Sequence, residues 1–461
     1  MPFFHSQASI IEESGLTHSV EQLLASGEDL FLNIGAGELV LLLCRNELES
    51  VLFYVNAIER GVVPILMDAD TDLPLIHSMV NSYRPKFIFG PSSFKNEFDF
   101  IHIADLRDYV LLESETVSNP LLNSELSLLL STSGSTGSPK LVRLSGENLR
   151  ANADAIIDYL RLDEQEKAIT NLPMNYSYGL SILNSHLRVG AKVVLTRESV
   201  IQRKFWDIFK EHRVTSLSGV PYTYDILRKM KFLNMELPSL KTMTQAGGKL
   251  SNELISLFSS YCRDRNIDFF VMYGQTEATA RLSYLEPAQT LEKLGSIGKA
   301  IPGGVFSLLD ERGIEILEPN KPGELTYQGK NVMLGYAESR NDLYLGDEMK
   351  GTLKTGDVAF FDSEGYFYIV GRLKRFIKLF GNRINLDELE QLLRGLGVET
   401  ACTGTDNRLI VYVLNSEAIE LVKIYLSKQL GIHFSGFSIR HIQEIPKNSS
   451  GKTLYANLDK E

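Results

Sequence analysis

Short apolar runs alternate with amphipathic stretches through the first third of this chain. Residues 39–43 (LVLLL) are apolar without interruption and read as a strand buried on both faces. Residues 49–60 place Val51, Leu52, Val55 and Ile58 at helical spacing, and residues 62–67 read as the next strand. Further strands are expected at 86–89 and 126–130, with 77–83 as part of a helix between them. Strand–helix–strand alternation of this kind predicts a largely parallel sheet covered by helices. The pattern continues with a helix at 147–160, which carries Asn148 and Asn152 on its polar side. Strands follow at 192–195 and 216–219, then a helix at 223–232. A buried strand at 269–272 runs directly into Tyr273-Gly274.

The texture changes near residue 295. Gly and Pro become frequent (Ile301-Pro302-Gly303-Gly304, then Lys321-Pro322-Gly323-Glu324) and short alternating strands follow. A β-rich subdomain is expected over about 295–370. Beyond Gly371-Arg372 the pattern restarts as a compact α+β unit, with strands at 376–379 and 409–414 and helices at 386–393 and 418–430. The expected fold class is α/β. Its large N-terminal domain, residues 1–372, has helix-covered, largely parallel sheets plus the β-rich subdomain. A small mobile α+β C-terminal domain, residues 373–461, follows. The charged junction at 372–374 suits a hinge.

Composition narrows the function classes. A chain of 461 residues is too long for one ordinary core, and 44% hydrophobic with 23% charged residues is globular rather than disordered. The net charge of −11 argues against nucleic acid or an anionic membrane surface as the main partner. No apolar run reaches the roughly 18 residues of a membrane span. The first residues lack the basic start of a signal peptide, and Cys44, Cys262 and Cys402 are scattered and odd in number. A cytoplasmic protein with reduced thiols is expected. The eight His show no zinc-ligand spacing, and His186 and His212 read as packing or surface residues.

The most informative stretch is 131–140, STSGSTGSPK, which follows an apolar run. Gly134 and Gly137 let the backbone turn tightly and approach a ligand. Hydroxyls and free N–H groups can surround phosphate oxygens, with Lys140 offsetting part of their charge. It is not a Walker P-loop: Gly451-Lys452-Thr453 comes nearest, but Pro446 stands where the first Gly would be. Tyr273-Gly274-Gln275-Thr276-Glu277 combines an aromatic ring, a hydroxyl and a carboxylate suited to base stacking, phosphate contact and Mg²⁺ ligation. In Lys354-Thr355-Gly356-Asp357, a carboxylate can accept both ribose hydroxyl protons, and Arg372 can donate to the same sugar. A strand and Gly-led turn at 377–383 and the late segment 446–452 complete the set.

In this order and spacing, the segments resemble those of the adenylate-forming (AMP-binding) superfamily, of the AMP-dependent acyl-CoA synthetase or ligase type. That superfamily also includes peptide-synthetase adenylation domains and luciferases. The resemblance runs from about Glu38 to Tyr455. It implies that Thr132, Ser133, Gly134, Ser135, Thr136, Gly137 and Lys140 hold the β- and γ-phosphates of ATP. Gly247 and Gly248 would line the adenine and acyl pockets, with Tyr273 and Gly274 at the adenine. Thr276 would touch the α-phosphate, Glu277 would bind Mg²⁺, and Asp357 and Arg372 would hold the ribose. Lys374 takes the hinge position, and Lys378, Gly381 and Arg383 fall on the face offered to the incoming thiol. Lys452 is the lysine that reaches the carboxylate and α-phosphate. Tyr176, Tyr178 and Gln245, with Asn175 and Tyr222, give the acyl pocket a polar character that favours a small, polar or aromatic acid.

Four positions depart from the family pattern. Tyr176 stands where many relatives have His, Arg375 where an acidic residue is usual, Leu386 for a frequent Pro, and Tyr455 for an Arg. None removes a charge that adenylation needs. The expected function is ATP-dependent, AMP-forming activation of a carboxylate through an acyl-adenylate, with release of pyrophosphate. Transfer to a thiol follows, with coenzyme A favoured as acceptor because no carrier domain is present. One alternative is a stand-alone adenylation enzyme loading a carrier-protein phosphopantetheine. Another is a non-catalytic nucleotide-binding protein of the same fold, against which the retained Lys140, Thr276, Glu277, Asp357 and Lys452 argue. A serine hydrolase has no support, since Ser131 and Ser135 lack a nearby His.

Overall fold

The structure is a computed structural model that describes residues 2–115, 122–131, 140–379, 382–405, 408–429, 432–447 and 453–458. Side chains at positions 374, 376, 378, 382, 383, 429 and 456 stand outside that description. The described residues group into two compact units. One comprises residues up to 131, 140–305 and 327–353; the other comprises 306–326 and 354–458.

An eight-stranded sheet forms the first layer of the first unit. Its order is Gly335–Ala337, Leu141–Ser145, Leu126–Ser131, Val63–Asp68, Leu39–Cys44, Phe87–Pro91, Tyr109–Glu113 and Ile101–Leu106. The central four strands run parallel and the flanking ones antiparallel. Every residue of Leu39–Cys44 is buried, as expected for a parallel strand covered on both faces. The helix Leu48–Arg60 buries its residues from Leu48 to Ala57 and stops at Gly61, whose left-handed backbone closes onto the carbonyls of Ala57 and Ile58.

A second sheet orders Ser216–Gly219, Thr242–Gln245, Asp268–Tyr273, Ser283–Leu285 and Lys299–Ala300, with the first three strands parallel. A third joins Lys167–Ile169 and Lys192–Val194 to the early hairpin Ser9–Ile11 and Thr17–Ser19. The helix Gly146–Leu160 corrects one expectation: Asn148 and Asn152 are buried, at 6% and 1% exposure, rather than facing solvent. Each is spent on a backbone carbonyl, Asn148 on Lys330 (2.7 Å) and Asn152 on Arg281 (3.0 Å). The helix expected at 223–232 starts earlier, with Pro221 at its first turn, and ends at Lys229 before a short 3₁₀ turn at Phe232–Asn234.

Most of a four-stranded sheet belongs to the second unit: Gly304–Leu309, Gly323–Gly329, Thr352–Phe361 and Phe367–Arg372. Beyond it lie the hairpin Phe376–Leu379 with Asn382–Asn385 and a three-stranded sheet of Thr400–Thr405, Arg408–Val413 and Phe437–His441. Their core collects Ile377, Leu379, Leu389, Cys402, Val411 and Val422. Asn385 caps the helix Leu386–Gly395 through the amides of Asp387 and Glu388 and also donates to the Val370 carbonyl (2.9 Å). The helix expected at 418–430 is α-helical only over Ala418–Ile424, then widens to a π turn over Tyr425–Gln429. Among the described residues no helix is long and apolar enough to cross a membrane.

Candidate active site

Three parallel strands of the second sheet end side by side. Register pairs Gly219 with Gln245 and Gln245 with Val271, so Val220, Gly247-Gly248 and Tyr273 emerge at one edge. Such carboxyl ends are where α/β sheets place ligands. Gly247 has φ +83°, and a Cβ there would come within 2.5 Å of the Tyr176 hydroxyl and 3.0 Å of Val220 Cγ1. Only Gly fits both the backbone and the space. Gln245 is 1% exposed and donates to the Gly248 carbonyl (2.8 Å), which fixes the turn.

The segment Tyr273–Glu277 is held as a tight loop. A Cβ on Gly274 would lie 1.8 Å from the Ala280 carbonyl, and the loop closes where Leu282 N–H donates to Tyr273 (2.9 Å). Thr279 takes φ +66°, rare for a β-branched residue, with its hydroxyl on the Asn331 carbonyl (2.8 Å). Asn331 in turn donates to the carbonyls of Ala278 and Arg281, both at 3.0 Å, and accepts from Tyr327 (2.8 Å). Buried Asn331 thus holds the strained loop from behind. Thr276 donates to Ser177 (3.2 Å), at the start of the helix Ser177–Val189.

Glu277 Oε1 accepts from the Tyr336 hydroxyl at 3.0 Å. Lys140 Nζ sits 3.6 Å above the centroid of that same ring and 3.9 Å from Glu338. Burial, then the charge of Glu277, push the Tyr336 hydroxyl above its ordinary pKa. Strand pairing explains the meeting, since Tyr336 lies opposite Val142, two residues beyond Lys140. The structure therefore brings Lys140 and Glu277 to one ring that sequence reasoning did not single out. The only local cue is a Gly-Tyr pair in a strand of three residues.

Tyr178 is buried, and its hydroxyl shares a 2.8 Å hydrogen bond with Thr244. Tyr176 meets it edge-on at 6.3 Å, and burial pushes the Tyr176 hydroxyl up to about 12. Tyr222 is largely exposed. His186 is buried with Nδ1 on the Ile182 carbonyl (2.9 Å), and burial pushes it down to about 4, so it stays neutral as a packing residue.

In the second unit, Asp357 and Arg372 are register partners on adjacent antiparallel strands. Arg372 Nε lies 3.2 Å from the Asp357 carboxylate, which is 3% exposed. The predicted ribose pair is thus a cross-strand pair. Asp357 follows Gly356 in left-handed backbone (φ +72°), and the Thr355 hydroxyl receives its N–H (3.1 Å). Two of the unusual positions also meet: the Arg375 guanidinium lies 3.8 Å from the Tyr455 ring centroid. Arg375 donates to Asp387 (2.8 Å), Glu390 (2.6 Å) and the Cys402 carbonyl (2.6 Å), and Tyr455 donates to Glu390 (2.9 Å).

Thr132, Ser133, Gly134, Ser135, Thr136, Gly137, Gly381 and Lys452 lie outside the described residues, as do the side chains of Lys374, Lys378 and Arg383. The strands flanking 132–139 are described, and they pair antiparallel with Ser131 opposite Leu141. Among the described residues no three metal-ligating side chains cluster. Mg²⁺ takes one or two carboxylates and leaves its other positions to phosphates and water. Glu277 would supply the carboxylate. Asp357 is a buried acceptor with a cation beside it.

A family model described as AMP-binding enzyme matches residues 30–337. Among curated proteins, the chain is 24% identical to the 4-coumarate–CoA ligase-like 6 of Arabidopsis thaliana, over 95% of this chain and 83% of that one. It is 26% identical to the 2-succinylbenzoate–CoA ligase of Oceanobacillus iheyensis, over 93% and 90%. Its fold is similar to that of the o-succinylbenzoate coenzyme A synthetase of Bacillus subtilis solved with ATP and magnesium. The TM-score is 0.79 at 24% identity, over 98% of this chain and 96% of that one.

Proposed function

Because the chain belongs to the AMP-binding enzyme family, we propose that it activates a small aromatic or polar carboxylic acid with ATP and passes the acyl group to coenzyme A. Adenylate-forming activation of a carboxylate is the chemistry of that family, and the chain is an acid–thiol ligase using ATP and Mg²⁺. The aromatic acids named for its relatives and the Tyr176–Tyr178 pair beside Gly247 support the choice of acid. The observation that carries the reading is Glu277, held by Tyr336 in a braced loop with Lys140 on the same ring.

The substrate carboxylate attacks the α-phosphorus of ATP, forming an O–P bond while the bond to pyrophosphate breaks. Two anions approach, so fixed cations and positioning supply most of the catalysis. Glu277 would hold Mg²⁺, which would supply positive charge against that of the phosphates. The Thr276 hydroxyl would turn from Ser177 to donate to the α-phosphate, and Lys140 would leave the Tyr336 ring for the departing phosphates. Asp357 and Arg372 would orient the ribose, and Lys452 would meet the charge growing at the reacting centre. In the second step the thiol sulfur attacks the acyl carbonyl, AMP leaves with the bonding pair, and the thiol proton is released. A hinge at Lys374 would exchange the Lys452 face for one carrying Lys378, Gly381 and Arg383. In this reading the enzyme works in the cytoplasm.

The test is a product analysis with ATP, Mg²⁺, a panel of acids and coenzyme A. The reading predicts AMP and pyrophosphate in equal amounts with accumulation of an acyl-coenzyme A. If the adenylate forms but its acyl group reaches only a phosphopantetheinylated carrier protein, the carrier-loading reading replaces it.

A further inference from the structure

Among the described residues, every non-glycine with positive φ is an Arg, Lys or Asn except Thr279. Its φ of +66° and ψ of −57° put it at the centre of a γ-turn, which the Ala280 N–H closes on the Ala278 carbonyl at 2.7 Å. That form of the γ-turn is rare and strained, and branching at Cβ makes it costlier. It follows directly on the 3₁₀ turn Thr276–Ala278, so the backbone that carries Thr276 and Glu277 reverses at once. The loop then returns to Tyr273 through the Leu282 N–H (2.9 Å). A glycine would form the same turn without strain, whereas threonine brings a hydroxyl that ties the turn down.

Strain of this kind persists only where the surroundings over-determine it. Here the surroundings are one short segment. Thr279 is 6% exposed, and its hydroxyl donates to the Asn331 carbonyl (2.8 Å). The Asn331 amide donates to the carbonyls on both sides of the turn, Ala278 and Arg281, at 3.0 Å each. Tyr327, also buried, donates to Asn331 Oδ1 (2.8 Å) and so fixes which way the amide faces. Two residues further on, the Met333 N–H donates to the Glu277 carbonyl (2.9 Å), and Tyr336 reaches the Glu277 carboxylate. An ordinary negative φ at residue 279 would send Ala280 off in another direction. The loop could not then both return to Tyr273 and keep Glu277 on Met333.

We infer that Thr279 and Asn331 are positioning residues for the nucleotide. The strained turn, locked by the Asn331 amide, sets Thr276 and Glu277 so that hydroxyl and carboxylate meet one triphosphate and its metal. The inference rests on the nucleotide part of the reading above, for what Thr276 and Glu277 touch, and adds what aims them.

The experiment measures the affinity of the full chain for MgATP and for adenosine, which lacks phosphates, by competition against a labelled nucleotide. Thr279→Gly removes both the strain and the tie, Thr279→Ser keeps the hydroxyl, and Tyr327→Phe frees the Asn331 amide with the least change of shape. Thr279→Gly and Tyr327→Phe should each weaken MgATP about tenfold and leave adenosine within about twofold. Thr279→Ser should stay within about threefold of wild type for both ligands. A merely structural role would weaken both ligands alike. MgATP affinity within about twofold of wild type in either of the first two variants, or an equal loss for adenosine, overturns the inference. If Thr279→Gly does not fold, Tyr327→Phe decides. Pyrophosphate–ATP exchange with no acid in the wild type sinks carboxylate activation and leaves this affinity test in force, whereas a wild type that binds no MgATP sinks both.

Discussion

Tyr336 shows how much a single side chain can do without any motif to announce it. Its hydroxyl orients Glu277 and its ring carries Lys140. Tyr336→Phe keeps the ring and removes the hydroxyl. A hydrogen bond to a charged acceptor is worth about 1.5–3 kcal/mol, so adenylate formation should fall about 10–100-fold. The Mg²⁺ concentration for half-maximal rate should rise at the same time. Unchanged Mg²⁺ dependence would show that the hydroxyl does not act through Glu277. Tyr273, Thr276, Glu277, Asp357 and Arg372 stand out in the sequence as candidates because each sits in a short run of chemically distinctive residues. Tyr336 and Asn331 do not, because their contacts come from strand pairing and loop closure with distant partners. Asn148 and Asn152 misled for the same reason: periodicity assigns amides to the polar face, and only the tertiary structure supplies carbonyls to bury them against.

Among the elements, two departures from the family pattern prove to be one unit. Arg375 precedes the strand Phe376–Leu379, and Tyr455 opens the short helix Tyr455–Leu458. Glu390, on the helix Leu386–Gly395, takes a hydrogen bond from each. The neighbouring carboxylates hold the buried Arg375 above its ordinary pKa, against the desolvation that would lower it. Removing one partner of such a pair strands the other, so Arg375→Met should destabilise the second unit by about 3 kcal/mol. Tyr455→Phe, which loses one hydrogen bond, should cost about 1 kcal/mol. Urea unfolding of the full chain checks both, and equal midpoint shifts would contradict the ranking. From sequence the two positions read as separate oddities. Long strands and helices such as Leu39–Cys44 and Leu48–Arg60 are legible because their apolar spacing repeats. The three-residue strand Gly335–Ala337 and the π turn Tyr425–Gln429 are not, since neither is long enough to show a period.

At the scale of the whole molecule, the proposed function would draw its chemistry from segments spread over most of the chain. Loop 131–140 would handle the leaving pyrophosphate, the Tyr273–Glu277 loop the α-phosphate and metal, and Lys452 the reacting carboxylate. The order of these segments was readable because each is local, while the geometry that unites Lys140 with Glu277 depends on the Gly335–Ala337 strand pairing with Leu141–Ser145. Carboxylate-dependent pyrophosphate–ATP exchange tests the central claim most directly. The wild-type chain should return labelled pyrophosphate into ATP only when an acid is present, and Lys452→Ala should reduce that exchange about 100-fold or more. Release of orthophosphate from ATP, with no exchange for any acid, would contradict the account.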